Sequence, residues 1–303
     1  MPIKSILQSR EWAEFKKSQG FVIFEYDNIF IHKRNLPFGQ NFLYLPEVSA
    51  NCLSDDFLKS LNQLTRENKS IFCRIEIIDR FDGENEQKII KAGYKRAFEQ
   101  VQPKWRQIIN LEKNEEEILS QMRSKGRYNI KVAQKHSVKV KTDNQAIGVF
   151  HDLYLETVKR EGISGRSIEY FDKMLDSFDQ TDYLETYVAL YENQPVCAAL
   201  VSFYDGVASY LYGGSSRRHK EVMAPYLMHW KIICDAKERG MKEYDLIGRS
   251  RPGDDNPNWA GVTRFKEQFG GEAVEIMGSY DFIAKPAFYR IFKIAEKMRR
   301  KEN

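Results

Sequence analysis

Cysteine is scarce in this chain, and so are the groupings that would give it metal or redox chemistry. Of 303 residues four are cysteine (Cys52, Cys73, Cys197 and Cys234), with no CxxC pair. This excludes the common zinc-ligand spacings and a disulfide framework; small buried thiols in a reducing cytoplasm are the expectation. The five histidines are scattered. No metal site is expected, and neither a Ser-His-Asp nor a Cys-His arrangement can be read from the order of residues. No apolar run approaches the roughly 20 residues that span a bilayer. Residues 1–5 have no apolar h-region, so no signal peptide is read there. Low-complexity segments and residue-level repeats are missing. A dominant charge is missing as well: 47 Lys and Arg face 43 Asp and Glu, for a net +4. That falls short of a dedicated DNA-binding domain, and no DNA partner is expected.

What is present is the composition of a soluble globular protein, 42% hydrophobic and 30% charged. The length is too great for one small core, and two domains are the natural reading. In the first half, a helix over 9–19 is capped by Ser9, strands 21–26 and 28–34 form a hairpin around Asp27-Asn28, and a short strand covers 42–46. An amphipathic helix (55–68), a strand (70–78), a helix (84–92), a strand (107–111) and a long helix (114–136) follow. In the second half, helices 144–161 and 168–178 precede a hairpin, 184–191 with 195–204, and a strand over 207–212. A helix over 225–239 stops at Gly240. A strand (244–247), a loop (249–261) carrying Trp259, a strand-like run (272–281) and a closing helix (286–300) complete the chain.

Strand-strand-strand-helix-strand is the order of the GNAT-type acyltransferase module, and the first half shows a looser version of it. The expected fold class is α/β with mixed sheets: two GNAT-like modules in tandem. The first spans 1–141, with the C-terminal helix 285–303 packed back on it; the second spans 142–284.

Several stretches carry chemistry. Lys266 sits between Phe265 and Phe269, just before Gly270-Gly271, an odd place for a surface charge. It is a candidate to meet a phosphate or a developing oxyanion; the alternative is a lysine snorkelling past its aromatic neighbours. The segment 215–225, where a coenzyme-A enzyme carries a glycine-rich pyrophosphate turn, has no glycine after Gly214. Glu76 interrupts an apolar strand together with Arg74 on the same face, either as an exposed ion pair or as a cleft carboxylate. Arg123, Arg127, Lys131 and Lys135 recur every four residues and could follow a phosphate backbone, or form a solvated helix face. In the last helix, Lys293, Lys297, Arg299, Arg300 and Lys301 lie beside Phe288, Ile291, Phe292 and Ile294. This reads as a packed helix with a charged end, the other reading being a basic amphipathic membrane contact.

Taken in order, the motifs resemble those of the FemABX aminoacyltransferases over nearly the whole chain. The matching segments are Gln8-Ser9-Arg10-Glu11-Trp12-Ala13-Glu14-Phe15-Lys16, Gln102-Pro103 before Ile108-Ile109-Asn110-Leu111, and Ser124-Lys125-Gly126-Arg127-Tyr128-Asn129-Ile130. They continue with Gly162-Ile163-Ser164-Gly165-Arg166-Ser167-Ile168-Glu169-Tyr170-Phe171, Tyr210-Leu211-Tyr212-Gly213-Gly214-Ser215, Ala224-Pro225-Tyr226 and Tyr244-Asp245-Leu246-Ile247-Gly248. The coiled-coil arm of some members is absent. The resemblance implies transfer of an amino acid from aminoacyl-tRNA to a stem-peptide amine of a peptidoglycan precursor, either UDP-MurNAc-pentapeptide or a lipid-linked muropeptide. It implies no cofactor and a cytoplasmic location, with peripheral contact at the inner membrane face as the other reading. Lys266 with Phe265 then matches the oxyanion and tRNA-end position. Lys16, Arg166, Tyr170 and Tyr212 match acceptor-binding positions, and Glu76 stands where a general base or orienting carboxylate is expected. Two alternatives stay open: a GNAT-type N-acyltransferase with an acyl-CoA donor, and a non-catalytic RNA-binding protein using the 123–135 stripe.

Overall fold

A computed structural model describes residues 5–254 and 257–302; the side chains of 257, 258 and 299–302 lie outside the description, as do residues 1–4 of the opening segment. The chain begins α1 (Arg10–Ser18), β1 (Val22–Tyr26), β2 (Ile29–Asn35), β3 (Asn41–Val48), α2 (Asp55–Glu67), β4 (Phe72–Arg80), α3 (Gly83–Lys91) and β5 (Lys95–Arg96). It continues β6 (Trp105–Asn110), α4 (Glu115–Gln121), α5 (Ser124–Lys135), β7 (Lys139–Thr142), α6 (Ile147–Glu161), α7 (Ile168–Ser177), β8 (Leu184–Tyr191), β9 (Gln194–Tyr204) and β10 (Val207–Ser215). It closes with α8 (Ala224–Glu238), β11 (Glu243–Gly248), α9 (Pro257–Lys266), β12 (Glu272–Ile283) and α10 (Pro286–Glu302). The architecture is the expected mixed α/β class.

Local chemistry explains the joints. Ser9 accepts from the Trp12 N–H to open α1, and Asn114 with Glu117 forms a capping box on α4. Asp27-Asn28 and Glu192-Asn193 both sit at positive φ (50° and 60°, 50° and 62°). That is the two-residue hairpin turn whose twist suits paired strands.

Two compact units result: 1–104 with 275–303, and 105–274. The first crossing therefore falls at 104/105 and not at 141/142, and the second at 274/275 and not at 284/285. The cause is burial: Ile109 and Leu111 around β6, Ile118 and Met122 around α4, and Ile130 and Ala133 of α5 all join the core of the second unit.

In the first unit β1, β2, β3, β4 and β12 lie side by side, parallel only between β3 and β4, with β5 also on β12. Alternation divides the side chains. Leu43, Leu45, Cys73, Ile75 and Ile77 meet Leu58 and Leu61 of α2. Phe42, Tyr44 and Phe72 meet Tyr289 and Phe292 of α10. The C-terminal helix thus packs on the first unit. In the second unit the order is β6-β11-β10-β9-β8-β7, parallel only between β10 and β11. That parallel pair holds for three residues, Val207–Ser209 with Glu243–Asp245. Beyond them β10 bulges between Tyr210 and Tyr212.

Two further expectations change. The long helix over 114–136 is broken at Met122-Arg123, both extended (ψ 148°), into α4 and α5. The break lets α5 run hard against 267–269: a Cβ on Gly126 would lie 2.3 Å from the Gln268 carbonyl oxygen. The end of the Trp259-bearing loop, 257–261, belongs to α9, which ends at Lys266; Asp255 and Asn256 of that loop lie outside the described residues.

Candidate active site

Lys266 closes α9 and is 7% exposed. Its Nζ donates to the Gly248 carbonyl at 2.5 Å, which leaves two of its three N–H donors for a ligand. Burial depresses its pKa to about 8; Asp245 opposes the shift, and Arg106 adds to it. Asp245 is itself tied to Arg106 at 2.7 Å. The acceptor carbonyl comes from a strained turn. Ile247, a β-branched residue, has φ 58°, and Asp245 Oδ1 accepts from its N–H at 2.6 Å. Such strain at a bulge in β11 marks a backbone held for a purpose other than pairing.

The Gly270-Gly271 pair is required by close approach. Both have positive φ, 77° and 74°. A Cβ on Gly271 would lie 2.2 Å from Ile108 O, and one on Gly270 2.7 Å from Gln121 O. We expect Gly126→Val, which forces α5 off Gln268, to cost about 1–3 kcal/mol by overpacking. Urea unfolding checks it: an unchanged midpoint would show that α5 does not hold 267–269.

Phe265 forms part of the wall of a cavity of about 300 Å³, with Tyr210, Gly213, Tyr226 and His229 around it and Arg218 and Lys220 also along it. The two glycines of the 210–215 motif have separate reasons. Tyr210 folds back over Gly213, where a Cβ would lie 1.6 Å from its hydroxyl oxygen. Gly214 lets the α6 backbone approach, with Leu153 O at 2.4 Å from a built Cβ.

His229 was not singled out by sequence reasoning. It is 1% exposed, packs against Phe265 (5.4 Å) and Phe269 (4.9 Å), and shares a hydrogen bond of 2.8 Å with Tyr244 through Nδ1. Burial first, and the Lys266 charge second, lower its pKa to about 3, so it is neutral. Its place three residues after Tyr226 on α8 was the available signal.

Arg166, Tyr170 and Tyr212 come together in the second unit. The Tyr170 and Tyr212 hydroxyls are 3.2 Å apart, and the Arg166 guanidinium lies 5.1 Å from the Tyr170 ring centroid. The Arg166 backbone is pinned by α6: its N–H donates to Tyr154 Oη at 3.2 Å, and its carbonyl lies 3.0 Å from His151 Nε2. The Arg166 side chain is exposed.

The first unit holds Lys16 and Glu76. Lys16 is half-buried, with Nζ 4.6 Å from the Phe15 ring, 4.8 Å from Trp12 and 5.8 Å from Phe21. An aromatic cradle, not free solvent, fixes it. Arg34 lies over Phe21 and Tyr44, at 5.8 and 5.9 Å. Between these cations His32 is 3% exposed, its Nε2 unpartnered and its pKa lowered to about 3 by burial, then by Lys16 and Arg34. Arg34 and His32 escaped sequence reasoning, although i, i+2 spacing on β2 puts them on one face.

Glu76 and Arg74 are buried, 2% and 1% exposed, so the exposed ion-pair reading fails. Arg74 pairs with Asp281 (2.7 Å) and Glu99 (3.0 Å), not with Glu76. Glu76 accepts from the N–H groups of Val101 (3.1 Å) and Gln102 (2.9 Å), from Ser279 Oγ (2.9 Å) and from the Tyr44 hydroxyl. Burial raises its pKa against those donors.

The basic stripe breaks up. Arg123 lies at the N-cap of α5 and pairs with Glu267 at 2.6 Å. Arg127 turns to the carbonyls of Ser120 and Met122. Lys131 and Lys135 are exposed. No group of metal-binding side chains occurs among the described residues.

The FemAB family profile matches residues 91–190 and 181–297. The chain belongs to the FemAB family. It is 20% identical to the lipid II:glycine glycyltransferase of Staphylococcus haemolyticus (strain JCSC1435), over 96% of this chain and 91% of that protein. The Staphylococcus aureus protein of the same name is also 20% identical, over 99% and 96%. Among solved structures, FemX superposes with a TM-score of 0.84 at 19% identity, covering 96% of this chain and 95% of that one. L-PGS from Bacillus licheniformis gives 0.60 at 14% identity, covering 93% and 94%. At these identities the superpositions show a shared fold.

Proposed function

We propose that this FemAB-family chain is an aminoacyltransferase that moves an amino acid from aminoacyl-tRNA to the side-chain amine of a peptidoglycan stem peptide. The observation that carries the reading is the buried Lys266 cation, held by the Gly248 carbonyl; its neighbour Phe265, and His229 on which its charge acts, line the cavity. The neutral amine attacks the ester carbonyl; a C–N bond forms, the ribose oxygen leaves with the electrons of the broken C–O bond, and the proton that the amine sheds ends on that oxygen. Negative charge collects on the carbonyl oxygen in between, and a pre-placed cation in a dry site lowers that barrier. The ester arrives activated, so positioning and charge stabilisation supply the catalysis without a cofactor.

In the second unit the cavity is assigned to the donor end, and Arg166 with the Tyr170–Tyr212 pair to sugar, peptide or phosphate of the acceptor. In the first unit Lys16 and Arg34 offer charge to an anionic acceptor group. Glu76 is assigned a positioning role, because both its oxygens already accept from fixed donors. The 123–135 stripe supports tRNA contact only through Lys131 and Lys135. The named relatives transfer glycine and act on lipid II, so glycine and a lipid-linked acceptor are the first substrates to test.

The acyl-CoA reading is weakened by the turn before α8. His219 and Met223, neither a glycine, hold φ 56° and 55° there, and side chains stand where a pyrophosphate needs bare backbone. Purified protein, radiolabelled glycyl-tRNA and either lipid-linked muropeptide or UDP-MurNAc-pentapeptide decide the matter. Label should move to one acceptor, and Lys266→Met should slow that transfer by about 10²–10³. No transfer from any aminoacyl-tRNA in a mixed pool to either intact acceptor, with thermal stabilisation by coenzyme A, would overturn the proposal.

A further inference from the structure

The last helix, α10, has two apolar faces, and the fold uses one. Tyr289 and Phe292 turn inward onto Phe72 and Phe42, with ring centroids 5.0 to 5.7 Å apart. On the other side Ile291, Ile294 and Met298 are 63%, 60% and 60% exposed, and Phe288 is 44% exposed. At about 100° per residue Ile291, Ile294 and Met298 fall opposite Tyr289 and Phe292, with Ala287 among them, while Phe288 and Ala295 lie on the flank between the two faces. A surface helix ordinarily places its charges there. Here the charges flank the apolar row: Arg290 and Lys297 are exposed along its edge, while Glu296 is half-buried. Across 285–302 seven Lys and Arg face two Glu.

A second feature points the same way. Phe38 is 98% exposed at the tip of the β2–β3 turn, with φ 58°. Leu36 of that turn packs in the same apolar cluster as Phe292. Phe38 therefore stands two residues from a side chain that packs with the inner face of α10. No helix among the described residues is long and apolar enough to cross a bilayer, so a contact made by α10 lies in the plane of the interface. An apolar row about 15 Å long, edged on one side by Arg290 and Lys297 and without an exposed acid among the described side chains, complements a lipid surface with anionic headgroups.

We infer that the outer face of α10, with Phe38 as a second contact, docks this protein on a bilayer carrying anionic headgroups. The surface is separate from the residues proposed for transfer, so its test does not depend on that reading.

The full-length chain is sedimented with phosphatidylcholine vesicles and with vesicles containing phosphatidylglycerol, at low and high salt. Binding should appear with phosphatidylglycerol and fall as salt rises. I291E/I294E should weaken it at least tenfold, and Phe38→Ser severalfold. R290E/K297E should remove the preference for phosphatidylglycerol. All three alter exposed positions, so thermal melting should match wild type and separate lost docking from lost folding. Equal binding to both vesicle types, or I291E/I294E binding like wild type, overturns the inference. A wild-type dimer that I291E/I294E converts to monomer also overturns it, because the face would then belong to a second copy of the chain.

Discussion

Lys266→Met is expected to slow transfer by about 10²–10³ while leaving the protein as stable as wild type or more so. The two effects separate because the charge is held at a cost. Burial takes the pKa from 10.5 to about 8, a penalty of about 3 kcal/mol on the folded cation. Methionine removes that penalty and keeps the volume, although Gly248 O loses its donor. The pH dependence follows from the sign of the shift. Below about pH 8 folded and unfolded chains both hold this proton, and it adds no slope. Between about 8 and 10.5 the folded chain has lost it and the unfolded chain has not, so stability rises with pH there. Unfolding curves of the methionine variant should lack that rise. In the wild type, transfer should fall above about pH 8 as the cation is lost. His229, neutral down to about pH 3, supplies no competing limb. The acceptor amine, with a pKa of about 10.4, pulls the other way, so the variant's residual rate should keep climbing with pH. A wild-type rate that climbs in parallel with the variant's to pH 10 would remove the cation from the mechanism.

Glu76→Ala should cost about 3 kcal/mol or more, because it strands two backbone N–H groups and the hydroxyls of Tyr44 and Ser279 in a buried site. Melting should drop by roughly 6–12 °C. Glu76→Gln, of the same shape, turns an NH₂ toward donors and should lose a good part of the same stability. Positioning predicts that transfer and stability fall together in both variants. A general base predicts something else: Glu76→Gln folded and melting like wild type, with transfer down about 10²-fold or more. That result would return the carboxylate to the chemistry.

Much of the fold was legible because its local signals agree. Ser9, Asn114, the Asp27-Asn28 turn and the Gly240 stop each act within a few residues, and period-two alternation sorted the faces of β3 and β4. The misreadings share a cause. The stretch 114–136 has one continuous helical pattern, yet α5 must swing onto Gln268, more than 130 residues away, and only Gly126 hints at that contact. The unit boundary at 104/105 depends on which core buries Ile109 and Ile130, a choice made by packing and not by composition.

The candidate site divides the same way. Sequence alone determined the mixed α/β class, the FemABX resemblance and the lack of metal-ligand spacing, and it singled out Phe265-Lys266, Arg166, Tyr170 and Tyr212 as candidates, because motif order and spacing are properties of the chain itself. Tertiary structure alone decided that Lys266 is buried on Gly248 O, that Glu76 is engaged by four donors, and that His229, His32 and Arg34 stand beside the residues already suspected. Burial and hydrogen-bond partners set the charge state and freedom of a side chain, and both come from segments far away along the chain.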